Sequence, residues 1–173
     1  MYNKEAVRGV NKKFKNQYLH IQVLSAYLCP GMKTSGSKYA QCLYFTSAAL
    51  ARKVEKLASE SWKKVDLSPS HAYLLMAVLE GPGIQPTALG EQLQLQPSTI
   101  TRLIEKLEGK KLVVRTSEGK TTNVYPTPKA KELQPKLGEC MQDFHGKCSR
   151  LLGKDENGRL VQNMARIADC LED

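Results

Sequence analysis

Long apolar runs are missing from this 173-residue chain, so it has no segment of the roughly 20 apolar residues that a membrane-spanning helix needs. Charges run through its first 31 residues, with no short apolar core before a small-residue cleavage site, so we expect no secretory signal. The cysteines stand singly, without a CxxC pair, at Cys29, Cys42, Cys140, Cys148 and Cys170. This odd, scattered set argues against a disulfide framework or a structural zinc site and is typical of a protein in a reducing cytoplasm.

The motifs of common enzyme classes are absent as well. The sequence contains no phosphate-binding P-loop, no serine elbow and no dinucleotide-binding glycine fingerprint. Its histidines, His20, His71 and His145, fall on three different predicted helices. Cys140 and Cys148 share a helix face that excludes His145, so we interpret these cysteines as core residues. The sequence therefore predicts no enzyme, no cofactor and no metal site.

Positive charge is abundant but unevenly placed. The formal net charge is +9, and hydrophobic residues make up 41% of the chain, enough for a packed core in one domain with a short appendage. Residues 86–131 contain eight lysines or arginines against four acidic residues, whereas residues 132–173 contain six against eight. A basic middle segment followed by an acidic one is compatible with a polyanionic partner for the middle segment.

An N-terminal helical extension and linker are predicted over residues 1–38. Apolar residues recur every three or four positions between residues 4 and 28, which predicts an amphipathic helix ending at Pro30 and Gly31. Because an isolated helix of this length is marginal in water, we expect it to pack on other helices of the protein. A second helix is predicted from about Tyr39 to Trp62, in a segment that spans residues 39–66.

Prolines and glycines punctuate the next segment, residues 67–126. Pro69, Pro86 and Pro97 each suit the first turn of a helix, where the missing N–H is not needed. Apolar spacing predicts three helices that begin at these prolines, at residues 69–80, 86–93 and 97–109. Ser68 suits the N-cap of the first, and Gly109 supplies the stop of the third.

A β-hairpin and two further helices complete the predicted order. The β-rich runs 112–115 and 123–125 flank a polar turn over residues 116–122, which is a hairpin pattern. In the last segment, residues 127–173, Thr127 and Pro128 open a long helix that Pro135 should kink or delay. Gly153 breaks that helix, and a final helix carries the apolar residues Leu160, Met164, Ile167, Ala168 and Leu171.

Two short helices joined by a tight connection and followed by a hairpin predict a mainly α-helical fold with a winged helix-turn-helix. The second short helix can enter the major groove of double-stranded DNA, and the hairpin can reach the neighbouring minor groove or backbone. The polar face of this helix and the hairpin is made mostly of hydrogen-bond donors. The candidate DNA-binding residues are Gln96, Pro97, Ser98, Thr99, Thr101, Arg102, Lys106, Lys110, Lys111, Arg115, Lys120, Thr121, Thr122 and Asn123.

The segment from Leu67 to Leu137 resembles the MarR (multiple-antibiotic-resistance regulator) family of bacterial transcription factors. The matching text is LSPSHAYLL at 67–75, LGEQL at 89–93, PSTITRLIEKLE at 97–108, KLVVR at 111–115 and TPKA at 127–130. The resemblance implies a cytoplasmic homodimer with N- and C-terminal dimerisation helices around a winged DNA-binding domain. It also implies a repressor that binds a palindromic operator and is released by a small aromatic or oxidant effector.

The hairpin tip departs from the family pattern, which usually has an Asp-Arg-Arg-like sequence there. This chain has Glu118-Gly119-Lys120, so Lys120 stands where an arginine would reach the minor groove. A lysine lacks the planar fork with which arginine makes two parallel hydrogen bonds. With the weaker wing, a winged-helix adaptor that binds protein rather than DNA stays open as an alternative.

Cys42 is a candidate redox residue. The stretch QCLYFTSAALA at 41–51 resembles the first helix of the organic-hydroperoxide-sensing branch of the family, where a cysteine at this place is the reactive thiolate. That branch supplies tyrosines to the thiolate, and this chain has Thr46, Lys56 and Pro69 at the matching positions. Cys42 is therefore either a peroxide sensor, with hydroxyls such as those of Thr46 or Tyr73 replacing the tyrosines, or an ordinary small core residue.

Overall fold

A computed structural model describes residues 34–119 and 121–171 of the chain. The predicted helix between residues 4 and 28 and the candidate DNA contact Lys120 lie outside the described residues. The described helices are α1 (Leu43–Trp62), α2 (Pro69–Glu80), α3 (Pro86–Leu93), α4 (Pro97–Gly109), α5 (Pro128–Leu152) and α6 (Lys154–Asp169). The strands are β1 (Val113–Glu118) and β2 (Thr121–Pro126), and short 3-10 turns cover Thr34–Gly36 and Lys63–Val65.

The predicted mainly helical fold with one hairpin is confirmed, and α2, α3 and α4 begin at the three prolines. α1, however, begins at Leu43 and not near Tyr39. Turns occupy residues 37–41, and the Ser37 hydroxyl accepts a hydrogen bond from the Tyr39 N–H at 3.2 Å. Local side-chain hydrogen bonds of this kind compete with helix formation and delay its start. No helix in the described part of the chain is long and apolar enough to cross a membrane.

Residues 51–145 form one compact unit with a continuous apolar core. The predicted inward stripe of α4 is confirmed, since Ile100, Leu103, Ile104 and Leu107 are all buried. They pack in one cluster with buried residues of α1, α2, α3, the hairpin and α5, among them Trp62, Leu74, Leu89, Val124 and Leu137. Burial of these apolar side chains is the main contribution to the stability of the folded unit. It also fixes which face of α4 remains in solvent.

The hairpin is longer than predicted. β1 and β2 pair antiparallel from Val113↔Pro126 to Glu118↔Thr121, so most of the predicted turn 116–122 is strand and only two residues form the connection. Ile84, in the loop after α2, adds an isolated bridge to Val124. The Val124 N–H donates to the Ile84 carbonyl at 3.0 Å, and the Val124 carbonyl accepts from Gly83 N–H at 2.9 Å. At the base of the hairpin, β2 is thus paired with β1 on one side and hydrogen-bonded to the loop after α2 on the other.

The end of α4 also differs from expectation, because Gly109 is not the left-handed residue that stops it. Lys111 has that conformation, with φ of 59°. Its N–H donates to the Glu108 carbonyl at 2.8 Å, and the Leu112 N–H donates to the Leu107 carbonyl at 2.9 Å. This pair of bonds is a Schellman motif, and the buried side chains of Leu107 and Leu112 supply its usual apolar contact.

Helix α5 is regular from Pro128 and continues through Pro135, so the alternative of a delayed start is wrong, and a kink at Pro135 stays a prediction. The Thr127 hydroxyl accepts from the Ala130 N–H at 3.3 Å, which confirms the predicted cap of this helix. The second compact unit comprises residues 34–50 and 146–171 of the described chain. In it, residues 161–171 are exposed throughout, including the apolar side chains of Val161, Met164, Ile167 and Leu171.

Candidate nucleic-acid interface

One face of α4 is turned to solvent along its whole length. Opposite the buried stripe lie the exposed side chains of Ser98, Thr101, Arg102, Glu105 and Lys106. An α-helix with side chains is about 10–12 Å in diameter, close to the roughly 12 Å width of the B-DNA major groove. The helix therefore presents three donors or cations of the predicted set, Ser98, Arg102 and Lys106, on a surface that a groove can accept.

The N-terminus of α4 is open as well. Gln96 is the N-cap in extended conformation, and its side chain makes no capping hydrogen bond. Its carbonyl accepts from the Thr99 and Ile100 N–H groups at 2.9 and 3.1 Å, while Gln96, Pro97 and Ser98 are exposed. The first turn contains no acidic residue. The partial positive charge of a helix N-terminus is thus available to a phosphate at this point.

Thr101 has a different role from the one that its position suggests. Its hydroxyl donates to the Pro97 carbonyl at 3.0 Å, inside the helix. A hydroxyl has a single hydrogen, so towards DNA Thr101 offers an acceptor oxygen and a methyl group but no free donor. Thr99 is half-buried and offers less surface than Ser98.

Two of the predicted DNA-contacting cations are held by carboxylates of the protein itself. The Lys110 ammonium lies 2.5 Å from Asp66 Oδ2 and donates to the Asp66 carbonyl at 2.9 Å. The hydrogen bond from Lys110 to the carboxylate, followed by the charge of Lys110, lowers the pKa of Asp66. Arg115 donates to Glu108 Oε2 at 2.6 Å, and its backbone N–H reaches Glu108 Oε1 at 3.2 Å.

Asp66 and Glu108 are the residues that sequence reasoning missed at this site. Asp66 is 44 positions from Lys110, so no local spacing links the two. Glu108 is seven positions from Arg115, across the turn between α4 and β1, and pairs with it only once that turn has its left-handed residue. The other lysines of the predicted set within the described residues, Lys106 and Lys111, are exposed.

The hairpin presents its polar residues less evenly than the sequence suggests. Thr121 is exposed, whereas Thr122 and Asn123 are half-buried opposite Ser117 and Thr116 of β1. Of the three predicted contacts on β2, Thr121 is therefore the exposed one that a phosphate or a base edge can reach.

Ser68 and His71 lie at the start of α2, near the end of α4. Ser68 is the N-cap residue of α2, as predicted, but its hydroxyl makes no capping bond to the backbone and instead lies 2.6 Å from His71 Nδ1. Burial, followed by the positive charges of Lys106 and Lys110, lowers the pKa of His71. A neutral imidazole is favoured there at pH 7, so His71 adds no charge to the basic surface.

Metal-ligating groups do not cluster anywhere in the described residues. Cys140 is buried in the core, as predicted, while His145 is exposed and Cys148 half-buried. Burial raises the pKa of the Cys148 thiol, which opposes formation of the thiolate that a metal would need.

Comparisons with known proteins agree on the central segment. Residues 65–121 match the profile of the MarR family. The transcriptional repressor MdtR of Bacillus subtilis (strain 168) is 26% identical over 127 residues, covering 72% of this chain and 82% of MdtR. The uncharacterized regulator YybA of the same organism is 28% identical over 91 residues, 51% of this chain and 61% of YybA.

Solved structures share the fold at low sequence identity. The repressor CouR bound to p-coumaroyl-CoA has a TM-score of 0.70 and 20% identity, covering 79% of this chain and 98% of CouR. MepR of S. aureus in complex with DNA has a TM-score of 0.66 and 16% identity, with 75% and 98% covered. A mutant MarR of E. coli with operator DNA has a TM-score of 0.67 and 17% identity, with 76% and 99% covered.

Proposed function

We propose that the chain is a sequence-specific, DNA-binding transcriptional repressor of the MarR family that acts as a homodimer, because residues 65–121 match the profile of that family. The observation that carries the proposal is the exposed face of α4, with Ser98 and Arg102 beside an open helix N-terminus. Arg102 is the residue for base recognition, since arginine bonds guanine edges through two parallel hydrogen bonds. Lys106, Lys111 and Thr121 contact phosphates, which position the helix without reading sequence.

A second copy of the chain is the proposed partner of the exposed apolar residues in the unit outside the central one. Leu171 is 71% exposed and Tyr44 is 82% exposed, and Val161, Met164 and Ile167 are also exposed. Large apolar side chains left exposed in this number are the kind of residues that an obligate interface covers. A two-fold dimer would present two copies of α4 to a palindromic operator.

Salt dependence of duplex binding tests this function. The protein is used to select an operator from a pool of random duplexes, and its affinity for that duplex is measured at increasing salt against a shuffled duplex of equal length. Each phosphate neutralised contributes a slope of about 0.9 in log Kd against log salt, so we expect a slope of several units and a clear preference for the selected duplex. Failure to select or bind any duplex would contradict the proposal and favour a protein-binding adaptor.

An effector site is proposed beside Trp62 in the core of the central unit. The Trp62 side chain is fully buried, and its indole N–H has no acceptor among the described residues. An unsatisfied buried donor of this kind costs about 1–3 kcal/mol, which a ligand with an acceptor atom would recover. The Tyr73 ring lies edge-on to the indole with centroids 5.8 Å apart, a favourable setting for a small aromatic molecule.

The two hydroxyls considered above as supports for a Cys42 thiolate, those of Thr46 and Tyr73, donate to other groups in the described part of the chain. Cys42 is exposed just before α1, so the alternative prediction of a small core residue is wrong. The Thr46 hydroxyl donates to the backbone, 2.9 Å from the Cys42 carbonyl and 3.1 Å from the Leu43 carbonyl. Its one hydrogen is directed to the backbone rather than to sulfur. The Tyr73 hydroxyl donates to the sulfur of Met141 at 3.7 Å. We therefore propose an ordinary thiol at Cys42 and a small aromatic molecule as the effector.

Operator release distinguishes the two kinds of effector. A panel of aromatic carboxylates, benzoate included, is titrated while the fluorescence of Trp62, the one tryptophan of the chain, is recorded. We expect a binding member to change this fluorescence and to weaken operator binding by about 5- to 150-fold, equally in the parent and in Cys42→Ser. Micromolar organic hydroperoxide should not release the operator from the parent or from Cys42→Ser. Prompt release of the parent by peroxide, lost in Cys42→Ser, would instead make the protein a peroxide sensor.

A further inference from the structure

Asp66 lies in a segment that the core holds in place. Its neighbours Val65 and Leu67 are both buried, and its own backbone is left-handed with φ of 53°. The Asp66 N–H donates to the Lys63 carbonyl at 3.2 Å and closes the short turn after α1. The carboxylate is nearly fully exposed, at 94%, so Asp66 has an anchored backbone and a solvated side chain.

Lys110 is the residue that directly follows α4, and its ammonium reaches both the carboxylate and the carbonyl of Asp66. The Lys110 carbonyl in turn accepts from the Lys129 ammonium at 3.0 Å. The Thr127 hydroxyl donates to the Lys111 carbonyl at 2.9 Å. The end of α4 is thus tied to the turn before α2 and to the start of α5.

An exposed ion pair adds little to the free energy of unfolding, because water screens it. The effect of the ion pair on the orientation of α4 is more important. Arg102 is eight residues before Lys110, about 12 Å along the helix axis at a rise of about 1.5 Å per residue. A tilt of about 5° about the end of the helix would move Arg102 by about 1 Å, which is enough to break a bidentate contact with a base.

We propose that Asp66 and Lys110 are positioning residues for DNA recognition: the pair holds the end of α4, and Lys110 is not a phosphate contact. The inference rests on the proposed DNA-binding function. The proposal predicts a change in DNA affinity opposite to the change that charge alone would cause. Neutralising Asp66 raises the positive charge of a basic surface, which should tighten DNA binding by simple electrostatics. If the pair positions α4, neutralising Asp66 weakens binding.

The test compares Asp66→Asn with Glu105→Gln, because both remove one negative charge. Glu105 is exposed on the outward face of α4. Affinity for the selected operator is measured over a salt series, at a temperature where melting curves show each variant folded. We expect Asp66→Asn to weaken binding three- to tenfold and Glu105→Gln to tighten it. Asp66→Glu, which restores the carboxylate, should recover most of the lost affinity.

Lys110→Met supplies the second arm. We expect it to weaken binding as much as Asp66→Asn with an unchanged salt slope, and the double variant to be no weaker than either single variant. A phosphate-contacting Lys110 would give the opposite set: tighter binding in Asp66→Asn, and a slope lower by about 0.9 in Lys110→Met. Unchanged or tighter binding in Asp66→Asn would overturn the proposal.

Amide hydrogen exchange without DNA separates this proposal from the function on which it rests. The N–H groups of Lys110, Lys111 and Leu112 close the end of α4. We expect these amides to exchange at least threefold faster in Asp66→Asn and at the parent rate in Glu105→Gln. If the parent binds no duplex, the proposed DNA-binding function is wrong. The exchange rates still show whether Asp66 and Lys110 hold the end of α4. Unchanged exchange in Asp66→Asn would overturn the positioning role.

Discussion

Arg102→Ala is expected to weaken binding of the selected operator by about 1–3 kcal/mol, a loss of roughly 5- to 150-fold in affinity. Arg102 is exposed on the outward face of α4, one turn beyond Ser98, where a helix lying in the major groove brings side chains to base edges. The loss should be much smaller on the shuffled duplex, because a base contact contributes only to the correct sequence. Titration of both duplexes at one salt concentration measures it.

Two variants control this experiment. Arg102→Lys keeps the charge but loses the planar fork, so it should retain the salt slope and still lose most of the specificity. Arg52→Ala removes an exposed arginine from α1, outside α4 and the hairpin, and should bind as the parent does. An Arg102→Ala variant with parental affinity and specificity would show that α4 is not the recognition helix.

Gly83→Ala is expected to destabilise the folded protein by about 2–4 kcal/mol. Gly83 has φ of +90°, a conformation that costs an L-residue about 1–3 kcal/mol. An added Cβ would also meet the Tyr125 ring at 3.1 Å, so the ring would have to move away from the turn. Because the Gly83 N–H also holds the Val124 carbonyl, the change should loosen the hairpin base. Denaturant unfolding measures the loss.

Gly119→Ala is the matched control for backbone strain alone. Gly119 also has positive φ, 62°, but nothing lies within 4 Å of an added Cβ there. We expect it to cost about 1 kcal/mol, and the larger loss expected in Gly83→Ala combines the contact with Tyr125 and the more strained φ at Gly83. Equal losses in both variants would mean that the Tyr125 ring adds nothing to the effect.

Much of the fold could be predicted because its information is local. A proline at the first position of α2, α3 and α4, and apolar residues spaced along one face of α4, are enough to place these helices and the exposed face opposite Ile104. The left-handed conformation of Lys111 was not predictable in this way, since Gly109 has the composition of a helix stop. Tertiary packing of Leu112 decides which residue takes the turn.

The exposed face of α4 was predictable from the sequence, but the ion pairs at its end were not. Counting cations assigned Lys110 and Arg115 to DNA, although each already has a carboxylate partner within the fold. The partner Asp66 comes from a distant turn, and distance along the chain hides such pairs from any periodicity argument. Charge tallies along a sequence therefore overstate the cations that a folded surface leaves for DNA.

The two-sided bonding of the hairpin base has a mechanical consequence. Val124 is hydrogen-bonded to the loop after α2 and lies in the paired strands, so the hairpin is a beam clamped at one end. A hairpin that is fixed only at its base is stiff there and bends more easily near its tip, where nothing lies within 4 Å of a Cβ added at Gly119. If the protein binds DNA as proposed, we expect the hairpin to follow operators of different minor-groove width by bending near its tip, while α4 keeps a fixed register in the major groove.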